Sequence, residues 1–271
     1  MDQTVPGTGG VSPRLAARRR GGRPADPTDL IAVASSPAAP SDPERQVVQR
    51  WQDSAGHWQR LLERQPPASR AITNPAIEQA VLAKSPRTVL DVGCGEGWLS
   101  RSLASQGIEM TGVDAVAPLL STARKHDPYS HYLCLEYDDL PGPLEGSQFD
   151  VAVCNFALFG DQSVHRLVAS LLTLLPANGH LLIQTLHPLS ACQGDYREGW
   201  RDSQWQGLDH ESHTMGEAPP WYFRPLSSWI ALLQKHGRLV TMDEPMDPQT
   251  RQPLSVLFHV TPATQQDRNN A

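Results

Sequence analysis

The chain has 271 residues and a formal net charge of −6, and 39% of its residues are hydrophobic. This length accommodates one large α/β domain or two small domains, and a core of that size is stable without disulfides. The acidic balance, together with the lack of a basic block interleaved with aromatic residues in the region expected to fold, argues against a nucleic-acid partner.

Cysteine spacing and hydropathy bear on the cellular compartment. The four cysteines are widely separated, and no two of them form a C-x-x-C pair. Scattered thiols of this kind are typical of reduced, buried cysteines, so we predict a cytoplasmic protein. No apolar run approaches the roughly 20 residues that a membrane-spanning helix needs, so we predict no membrane span.

The two ends of the chain have the composition of tails. Residues 1–43 are rich in Gly, Pro, Ala, Ser and Arg and show no apolar periodicity, which predicts a disordered N-terminal tail. Three arginines at positions 18–20 could suggest a twin-arginine export signal, but no apolar segment follows them, so we reject this interpretation. Residues 263–271 are predicted to form a polar C-terminal tail.

Two helices are predicted ahead of the first strand. Apolar residues recur at helical spacing from Pro43 to Arg64, with an acid near the start and arginines near the end, as the helix dipole favours. A Gln-Pro-Pro run at 65–67 ends this helix. The second helix is predicted to begin with Asn74 as its N-cap and Pro75 at its first helical position.

The central part of the chain alternates strands and helices. This alternation is the pattern of a parallel sheet with helices on both faces. The fourth strand is apolar along its length, as expected for a strand that is covered on both faces. The predicted strands are Thr88–Val92, Glu109–Val113, Tyr132–Leu135, Val151–Phe156 and His180–Thr185, and the predicted helices are Trp98–Ser105, Pro118–Lys125 and Ser163–Leu175.

The C-terminal part departs from this alternation. A helix is predicted at Ser227–His236, with Gly237 as its C-cap. Two strands, Arg238–Glu244 and Leu254–Thr261, follow it and are joined by a turn that is rich in Pro and Asp. A hairpin at this place indicates that the sheet is not wholly parallel.

The turn after the first strand is rich in glycine. It reads Asp-Val-Gly-Cys-Gly-Glu-Gly over residues 91–97. Glycine adopts backbone conformations that a Cβ atom forbids, so a ligand can lie against bare backbone. The helix that follows offers unpaired N–H groups to a polar or anionic group. A dinucleotide fingerprint would require a third glycine where this chain has Trp98, which disfavours an NAD site.

Two further acids stand at the ends of the next two strands. Asp114 ends the second predicted strand, 21 residues after Gly93, and a carboxylate there can accept hydrogen bonds from both ribose hydroxyls. The dinucleotide fold uses the same device, so Asp114 does not by itself identify the cofactor. Glu136 begins an acid-x-x-x-Leu-Pro segment after the third strand. Taken singly, these features could be a plain turn, a helix cap and a solvated acid.

In this order and spacing, the three segments resemble the cofactor motifs of the class I S-adenosylmethionine (SAM) dependent methyltransferases, of the small-molecule ubiquinone and menaquinone type. The resemblance covers residues 44–262. It implies an α/β fold with a Rossmann-like, doubly wound sheet of seven strands, mostly parallel with an antiparallel C-terminal strand. It also implies SAM as the cofactor and a small molecule as the substrate.

The resemblance implies roles for individual residues. The glycine turn would pass under the methionine part of SAM, and Asp114 would bind the ribose. Glu136, where the family usually has Asp, would hold the adenine amino group, and Tyr137 would give its backbone N–H to the adenine ring. Arg70 would pair with the SAM carboxylate or be solvated, and Asn155 would lie beside the cofactor or only bond at its strand end. The implied cofactor-binding residues are Asp91, Gly93, Cys94, Gly95, Gly97, Asp114, Ala115, Glu136, Tyr137, Asp138, Asn155, Phe156 and Arg70.

The connection after the fifth strand is long. Residues 187–226 hold clustered aromatic residues together with arginines and histidines, and a loop of this length is usually a lid or a binding insert. Aromatic faces beside arginines suit a flat or apolar substrate that carries an anionic or hydroxyl group. The alternative is a small satellite core beneath a long loop, with the arginines solvated.

The same segment holds the candidate catalytic residues. His187 follows the fifth strand directly and could take a proton from a hydroxyl group near neutral pH. Alternatively, His187 and Pro188 only fix the exit of the chain from the sheet. Tyr222 and His213 are weaker candidates. His210 and His213 have the spacing of a metal motif but lack a nearby third and fourth ligand, so we predict no metal site.

The sequence therefore predicts a SAM-dependent methyltransferase that methylates an oxygen or carbon atom of a small molecule. The Asn-Pro-Pro-Tyr motif of many nucleic-acid amino-methylases is absent, because Phe-Ala-Leu follows Asn155. A SAM-binding regulator or scaffold without transfer activity is the alternative, since no catalytic base is assured. An NAD-dependent oxidoreductase is a third interpretation, against which Trp98 argues.

Overall fold

The computed structural model describes residues 42–192, 194–202, 205 and 217–263. Within these residues the chain forms a seven-stranded sheet flanked by helices, and a separate two-stranded hairpin. The strands are β1 (Thr88–Val92), β2 (Glu109–Asp114), β3 (His131–Cys134), β4 (Val151–Asn155), β5 (His180–Leu186), β6 (Gly199–Arg201), β7 (Trp221–Phe223), β8 (Gly237–Asp243) and β9 (Ser255–Pro262). The helices are α1 (Pro43–Arg64), α2 (Arg70–Leu82), α3 (Trp98–Ala104), α4 (Ala117–His126), α5 (Gln162–Thr173), α6 (Pro188–Ala191) and α7 (Leu226–His236).

The strand order of the large sheet is β3-β2-β1-β4-β5-β9-β8. The strands from β3 to β5 pair in parallel, and β9 is antiparallel to both of its neighbours, β5 and β8. The predicted Rossmann-like sheet with an antiparallel C-terminal strand is thus confirmed. The order of the strands reverses between β1 and β4, which is where ligands bind in open α/β sheets.

Alternate residues of β4 belong to different apolar clusters. Val153 shares one cluster with Ile77 of α2 and Leu103 of α3. Cys154 shares the other with Leu167 of α5 and Leu233 of α7. A strand that is buried on both faces cannot expose polar side chains, and this explains the apolar run that predicted β4.

The helix α2 begins one turn earlier than predicted. Its first turn closes when the N–H groups of Ile72 and Thr73 donate to the Ser69 carbonyl at 3.0 and 2.9 Å. Pro75 therefore lies inside the helix, and the prediction of Asn74 as the N-cap was wrong. Proline already has a helical φ, so its inclusion costs one backbone hydrogen bond and not the helix.

The chain turns directly from α7 into β8 at Gly237. This glycine follows the helix as its C-cap, as predicted, but its backbone is extended and it is the first residue of β8. A Cβ atom at Gly237 would lie 2.8 Å from the carbonyl oxygen of Thr261 in β9. Glycine is needed at this position because two backbones approach each other closely. A left-handed helix cap is not the reason, since the backbone of Gly237 is extended.

The segment 187–226 contains structure that the sequence did not predict. After the one-turn helix α6, strands β6 and β7 pair antiparallel as a separate hairpin. Residues 193, 203–204 and 206–216 of this segment lie outside the described residues, as do the tails at 1–41 and 264–271. Of the helices in the described part of the chain, none is both long and apolar enough to cross a membrane.

Two glycines of positive φ provide a test of how the glycine turn packs. Gly97 and Gly107 have φ of 75° and 86°, so alanine at either one costs about 1–2 kcal/mol in backbone strain. A Cβ atom at Gly97 would also lie 2.9 Å from the Ala123 Cβ, whereas nothing lies within 4 Å at Gly107. We expect Gly97→Ala to lower the free energy of unfolding by at least about 1 kcal/mol more than Gly107→Ala, because overpacking adds to strain. Equal losses in urea denaturation would contradict this packing.

Candidate functional site

A cavity of about 1000 Å³ lies beyond the carboxyl ends of β1, β2 and β4 and beside the segment that follows β3. The segments that follow these strands form its floor, and the first half of α1 forms much of one wall. This is the place predicted from the strand order. The residues that line it include Glu44, Trp51, Trp58, Arg70, Gly93, Gly95, Glu96, Trp98, Asp114, Glu136, Tyr137, Asp138, Asn155, Phe156, Phe159, Asp161, Arg166 and Trp200.

The glycine turn packs closely against β2 and the loop after β4 at Gly93, and it is open to the cavity at Gly95. The N–H of Gly93 donates to the Val113 carbonyl at 2.8 Å, and a Cβ atom at Gly93 would lie 2.3 Å from the Ala157 Cβ. At Gly95 the same construction meets nothing within 4 Å. The turn therefore offers bare backbone to the cavity at Gly95, and Gly93 allows the loop after β4 to pack against it.

Asp114 lies in the cavity wall at the end of β2. Its carboxylate accepts hydrogen bonds from the N–H groups of Gly95 and Val116, both at 2.8 Å. Its residue surface is only 9% exposed, and burial raises the pKa of Asp114 although these two bonds oppose the rise. A carboxylate has about four acceptor positions, so each oxygen can still accept one more hydrogen bond. Ala115, the next residue, also lies in the wall.

Asp91 lies beneath the turn and does not line the cavity. It is 2% exposed, and its carboxylate accepts a hydrogen bond from the Ser100 hydroxyl at 2.8 Å. Burial raises the pKa of Asp91 to about 7. Gly97 likewise packs against Tyr132, and it is not among the residues that line the cavity. The Cys94 thiol is buried, and burial raises its pKa.

The segment after β3 supplies three predicted residues to the wall. The Tyr137 hydroxyl donates to the Ala157 carbonyl at 2.6 Å, which ties this segment to the loop after β4. Asp138 forms a two-pronged ion pair with Arg166 of α5, with both distances at 2.8 Å. Glu136 is exposed and accepts a backbone N–H in a reciprocal cap with Asp139. Of the two carboxylates, that of Asp138 is paired with a cation, whereas that of Glu136 has no cationic partner among the described residues.

Arg70 is in the wall and is not a solvated arginine. Its guanidinium lies 3.8 Å from the Glu96 carboxylate, which is an ion pair without a hydrogen bond. The same group stands over the rings of Trp58 and Trp98, at 5.6 and 6.0 Å from their centres. Burial lowers the pKa of Arg70, and Glu96 opposes this change. Glu96 was not among the predicted binding residues.

The end of β4 carries backbone strain. Phe156 lines the cavity with φ of 51°, a conformation that costs a bulky residue about 1–3 kcal/mol and is concentrated at functional sites. Its N–H donates to the Gln184 carbonyl at 2.8 Å. The side chain of Asn155 accepts a hydrogen bond from Gln184 at 2.9 Å and also lines the cavity. The two roles considered for Asn155 are therefore compatible.

Side chains from two other segments form hydrogen bonds with the loop after β4 at Asp161. From α1, the Glu44 carboxylate accepts hydrogen bonds from the Asp161 N–H at 2.8 Å and the Ser163 hydroxyl at 2.5 Å. From the opposite side, Arg224 donates to the carbonyls of Gly160 and Asp161 at 2.8 and 2.9 Å. The Arg224 residue is 1% exposed, so its charge is buried with these partners. This junction, which we call the Asp161 junction, joins α1, the loop after β4 and the segment that precedes α7.

Aromatic side chains form the wall on the side of α1. Trp51 meets Trp58 edge to face with ring centres 5.5 Å apart, and it meets Phe159 at 5.8 Å. Trp205 stands against both tryptophans, at 5.6 and 6.3 Å. Trp200 of β6 also lines the cavity. The segment 187–226 thus contributes the aromatic surface of Trp200 to the cavity.

The structure does not bring the candidate catalytic residues into the cavity. His187 is 5% exposed; its Nε2 lies 2.7 Å from the Glu244 carboxylate, and its Nδ1 accepts the Leu189 N–H. It caps α6 and fixes the exit from β5, as the alternative interpretation had it. Tyr222 packs under Arg224 at 4.6 Å and does not line the cavity either. His213 lies outside the described residues.

Three residues at the site, Glu44, Arg224 and Glu96, were not among the predicted binding residues. Glu44 looked like an acid that suits its own helix start, yet it caps α5, 119 residues later. Arg224 was expected to be solvated, and only its position directly after three aromatic residues suggested burial. Glu96 lay inside the glycine motif and could have been proposed from that position. Among the described residues, no group of three or more His, Cys, Asp or Glu side chains is arranged to hold a metal ion.

Comparison with known proteins gives a family match over most of the chain. The family described as "Methyltransferase domain" matches residues 36–238. The malonyl-(acyl-carrier protein) O-methyltransferase of Enterobacter lignolyticus is 32% identical over 46% of this chain and 46% of that protein. The mitochondrial ubiquinone biosynthesis O-methyltransferase of Schizosaccharomyces pombe is 34% identical over 38% of this chain and 39% of that protein. The chain spans about half the length, or less, of these two relatives.

A solved structure supports the fold. The 1,6-didemethyltoxoflavin-N1-methyltransferase of Burkholderia thailandensis, determined with its substrate and S-adenosylhomocysteine, superimposes with a TM-score of 0.58. The match is 19% identical and covers 84% of this chain and 94% of that chain. At this identity the likeness shows a shared fold.

The raised pKa of Asp91 predicts a pH dependence of stability. The pKa of Asp91 is about 7 in the folded state, above the usual aspartate value of 3.8. The folded state therefore binds this proton more tightly than the unfolded state does. This contribution to stability is complete below about pH 4 and is lost as the pH rises through 7. Between pH 5 and pH 8 the free energy of unfolding of the wild type should fall by about 2–3 kcal/mol more than that of the Asp91→Asn variant. Urea denaturation of both proteins at the two pH values measures this difference, and parallel pH profiles would contradict the assignment.

Proposed function

This chain belongs to the methyltransferase-domain family, and we propose that it transfers the methyl group of SAM to an oxygen atom of a small-molecule acceptor. The observation that carries the proposal is Asp114, a buried carboxylate with spare acceptor positions beside the open glycine turn. Two related proteins, the malonyl-(acyl-carrier protein) and ubiquinone enzymes, are named O-methyltransferases, and this supports oxygen as the accepting atom.

The residues of the cavity fit the cofactor. Asp114 has one free acceptor position on each oxygen for the two ribose hydroxyls. Arg70 is a partly buried cation at 3.8 Å from Glu96, and this pair can hold the carboxylate and ammonium groups of the methionine part. Glu136, which is free of a cationic partner among the described residues, is available to an adenine amino group. Bound SAM supplies a methyl group that is made electrophilic by its sulfonium sulfur.

The chain's own contribution to the reaction is alignment and exclusion of water. An in-line displacement needs the accepting oxygen held at a defined place beside the methyl group. Asn155 and Phe156, at the end of β4, are held by two hydrogen bonds to Gln184 and form the wall nearest the strand-order reversal. The Asp161 junction holds α1 against this loop, so α1 and the segment 187–226 act as the cover of the acceptor site.

A SAM-binding regulator without transfer activity is the second candidate. One observation favours it: within the described residues no histidine lines the cavity, so no group that titrates near neutrality is ready to act as a base. The two candidates differ in the product. With a methyl-accepting substrate the enzyme accumulates S-adenosylhomocysteine, and the regulator does not.

The cofactor assignment predicts the effect of removing one charge. We expect Asp114→Asn to weaken binding of S-adenosylhomocysteine about 10- to 100-fold, because two ribose hydroxyls lose a charged acceptor. Isothermal titration calorimetry of the full chain with S-adenosylhomocysteine measures this change.

Asp127→Asn is the matched control. Asp127 is also buried and accepts backbone N–H groups, but it lies outside the cavity wall. The Asp127→Asn substitution should lower the free energy of unfolding without changing the affinity for S-adenosylhomocysteine. Unchanged binding in Asp114→Asn, or an equal loss in both variants, would contradict the placement of the ribose on Asp114.

A further inference from the structure

The cavity wall carries far more negative than positive charge. Seven carboxylates line it against three guanidinium groups, and no lysine is among the lining residues. Charges of one sign in a cleft repel ligands of the same sign and attract the opposite sign. The carboxylates are Asp42, Glu44, Glu96, Asp114, Glu136, Asp138 and Asp161, and the guanidinium groups are those of Arg45, Arg70 and Arg166.

The three guanidinium groups are already engaged or lie in water. Arg166 is held by both oxygens of Asp138, and Arg70 is paired with Glu96. The Arg45 side chain is 90% exposed at the rim. Behind the wall, the terminal nitrogens of Arg224 are occupied by carbonyl groups of the loop after β4. Within the described residues, the wall therefore has no buried, unpaired cation for an anionic acceptor, and Arg45 is the exposed one at its rim.

The N-terminus of α5, which could bind an anion at this end of the cavity, is occupied by the carboxylate of Glu44. The N-terminus of α5 presents the N–H groups of Asp161 and Ser163 and the Ser163 hydroxyl, and a helix N-terminus attracts anions. The Glu44 carboxylate accepts from all three donors, at 2.8, 3.4 and 2.5 Å. An anionic group of an acceptor would have to displace a carboxylate that is fixed by the helix α1.

The remaining surface on this side is aromatic. Trp51, Trp58 and Phe159 lie in one continuous wall from α1 to the loop after β4, and Trp200 lines the cavity from β6. Aromatic faces gain most from planar, apolar partners in offset or edge-to-face contact.

We propose that the acceptor enters as a planar aromatic ring without negative charge, and that Glu44 is the residue that discriminates against acceptors bearing a carboxylate or phosphate. This inference rests on the proposed function, since it names the acceptor class of the same cavity.

The test compares two probes that share one ring. Catechol and 3,4-dihydroxybenzoate differ by one carboxylate, and both are titrated at pH 7.5 into the full chain saturated with S-adenosylhomocysteine. We expect catechol to bind at least about ten-fold more tightly in low salt, since like charges in a cleft repel. The difference should shrink as the salt concentration rises.

Substitution of Glu44 tests the discriminating residue. Glu44→Gln keeps the size and one acceptor oxygen but removes the charge, so the preference for catechol should fall at least about three-fold. Glu145→Gln is the matched control, because it removes one exposed carboxylate that does not line the cavity. It should leave the preference unchanged. An equal fall in both variants would overturn the role of Glu44.

The outcomes separate this inference from the proposed function. Equal or tighter binding of 3,4-dihydroxybenzoate to the wild type would overturn the inference while the proposed function stands. Failure of both rings to bind at millimolar concentration would overturn the aromatic acceptor class. Failure of S-adenosylhomocysteine itself to bind would overturn the proposed function, and the inference would fall with it.

Discussion

The structure depends on two carboxylates buried at the carboxyl ends of adjacent parallel strands. Asp91 in β1 and Asp114 at the end of β2 are both nearly inaccessible to water, and buried carboxylates require hydrogen-bond donors. Those donors are the Ser100 hydroxyl of α3 and the N–H groups of Gly95 and Val116. Satisfying the two acids thus fixes the course of the turns after β1 and β2. These two turns form part of the cavity floor, so that part of the floor follows from this constraint.

The wall of the cavity depends on a second set of polar contacts, the Asp161 junction. Glu44 and Arg224 approach the loop after β4 from opposite sides, and each is satisfied mainly by backbone groups of that loop. The backbone partners make the contact specific for the path of the chain, and the Ser163 hydroxyl and the Asp161 carboxylate add side-chain partners. The strained residue Phe156 lies at the start of the same loop. The loop is therefore fixed at both ends, and its cavity-facing residues form a stable surface.

Local patterns in the sequence predicted the features that depend on local physics. An apolar run predicted β4, the alternation of strands and helices predicted the parallel part of the sheet, and glycine spacing predicted the turn at 91–97. The start of α2 was mispredicted because a proline was taken as a first helical residue, whereas the preceding turn closes on Ser69. His187 follows β5 directly, as predicted, but it does not line the cavity. Its ring pairs with Glu244, which lies at the end of a different strand, β8. Contacts between residues more than 50 positions apart leave no local pattern.

The crystal structure of the full chain with S-adenosylhomocysteine is the most direct test of the central claim, that Asp114 both shapes the glycine turn and binds the ribose. The predicted result places the two ribose hydroxyl oxygens within about 3 Å of the Asp114 carboxylate oxygens, the usual hydrogen-bond distance, while the Gly95 N–H still donates to the same group. A ribose bound elsewhere, or an Asp114 carboxylate that gives up Gly95 to reach it, would contradict the claim.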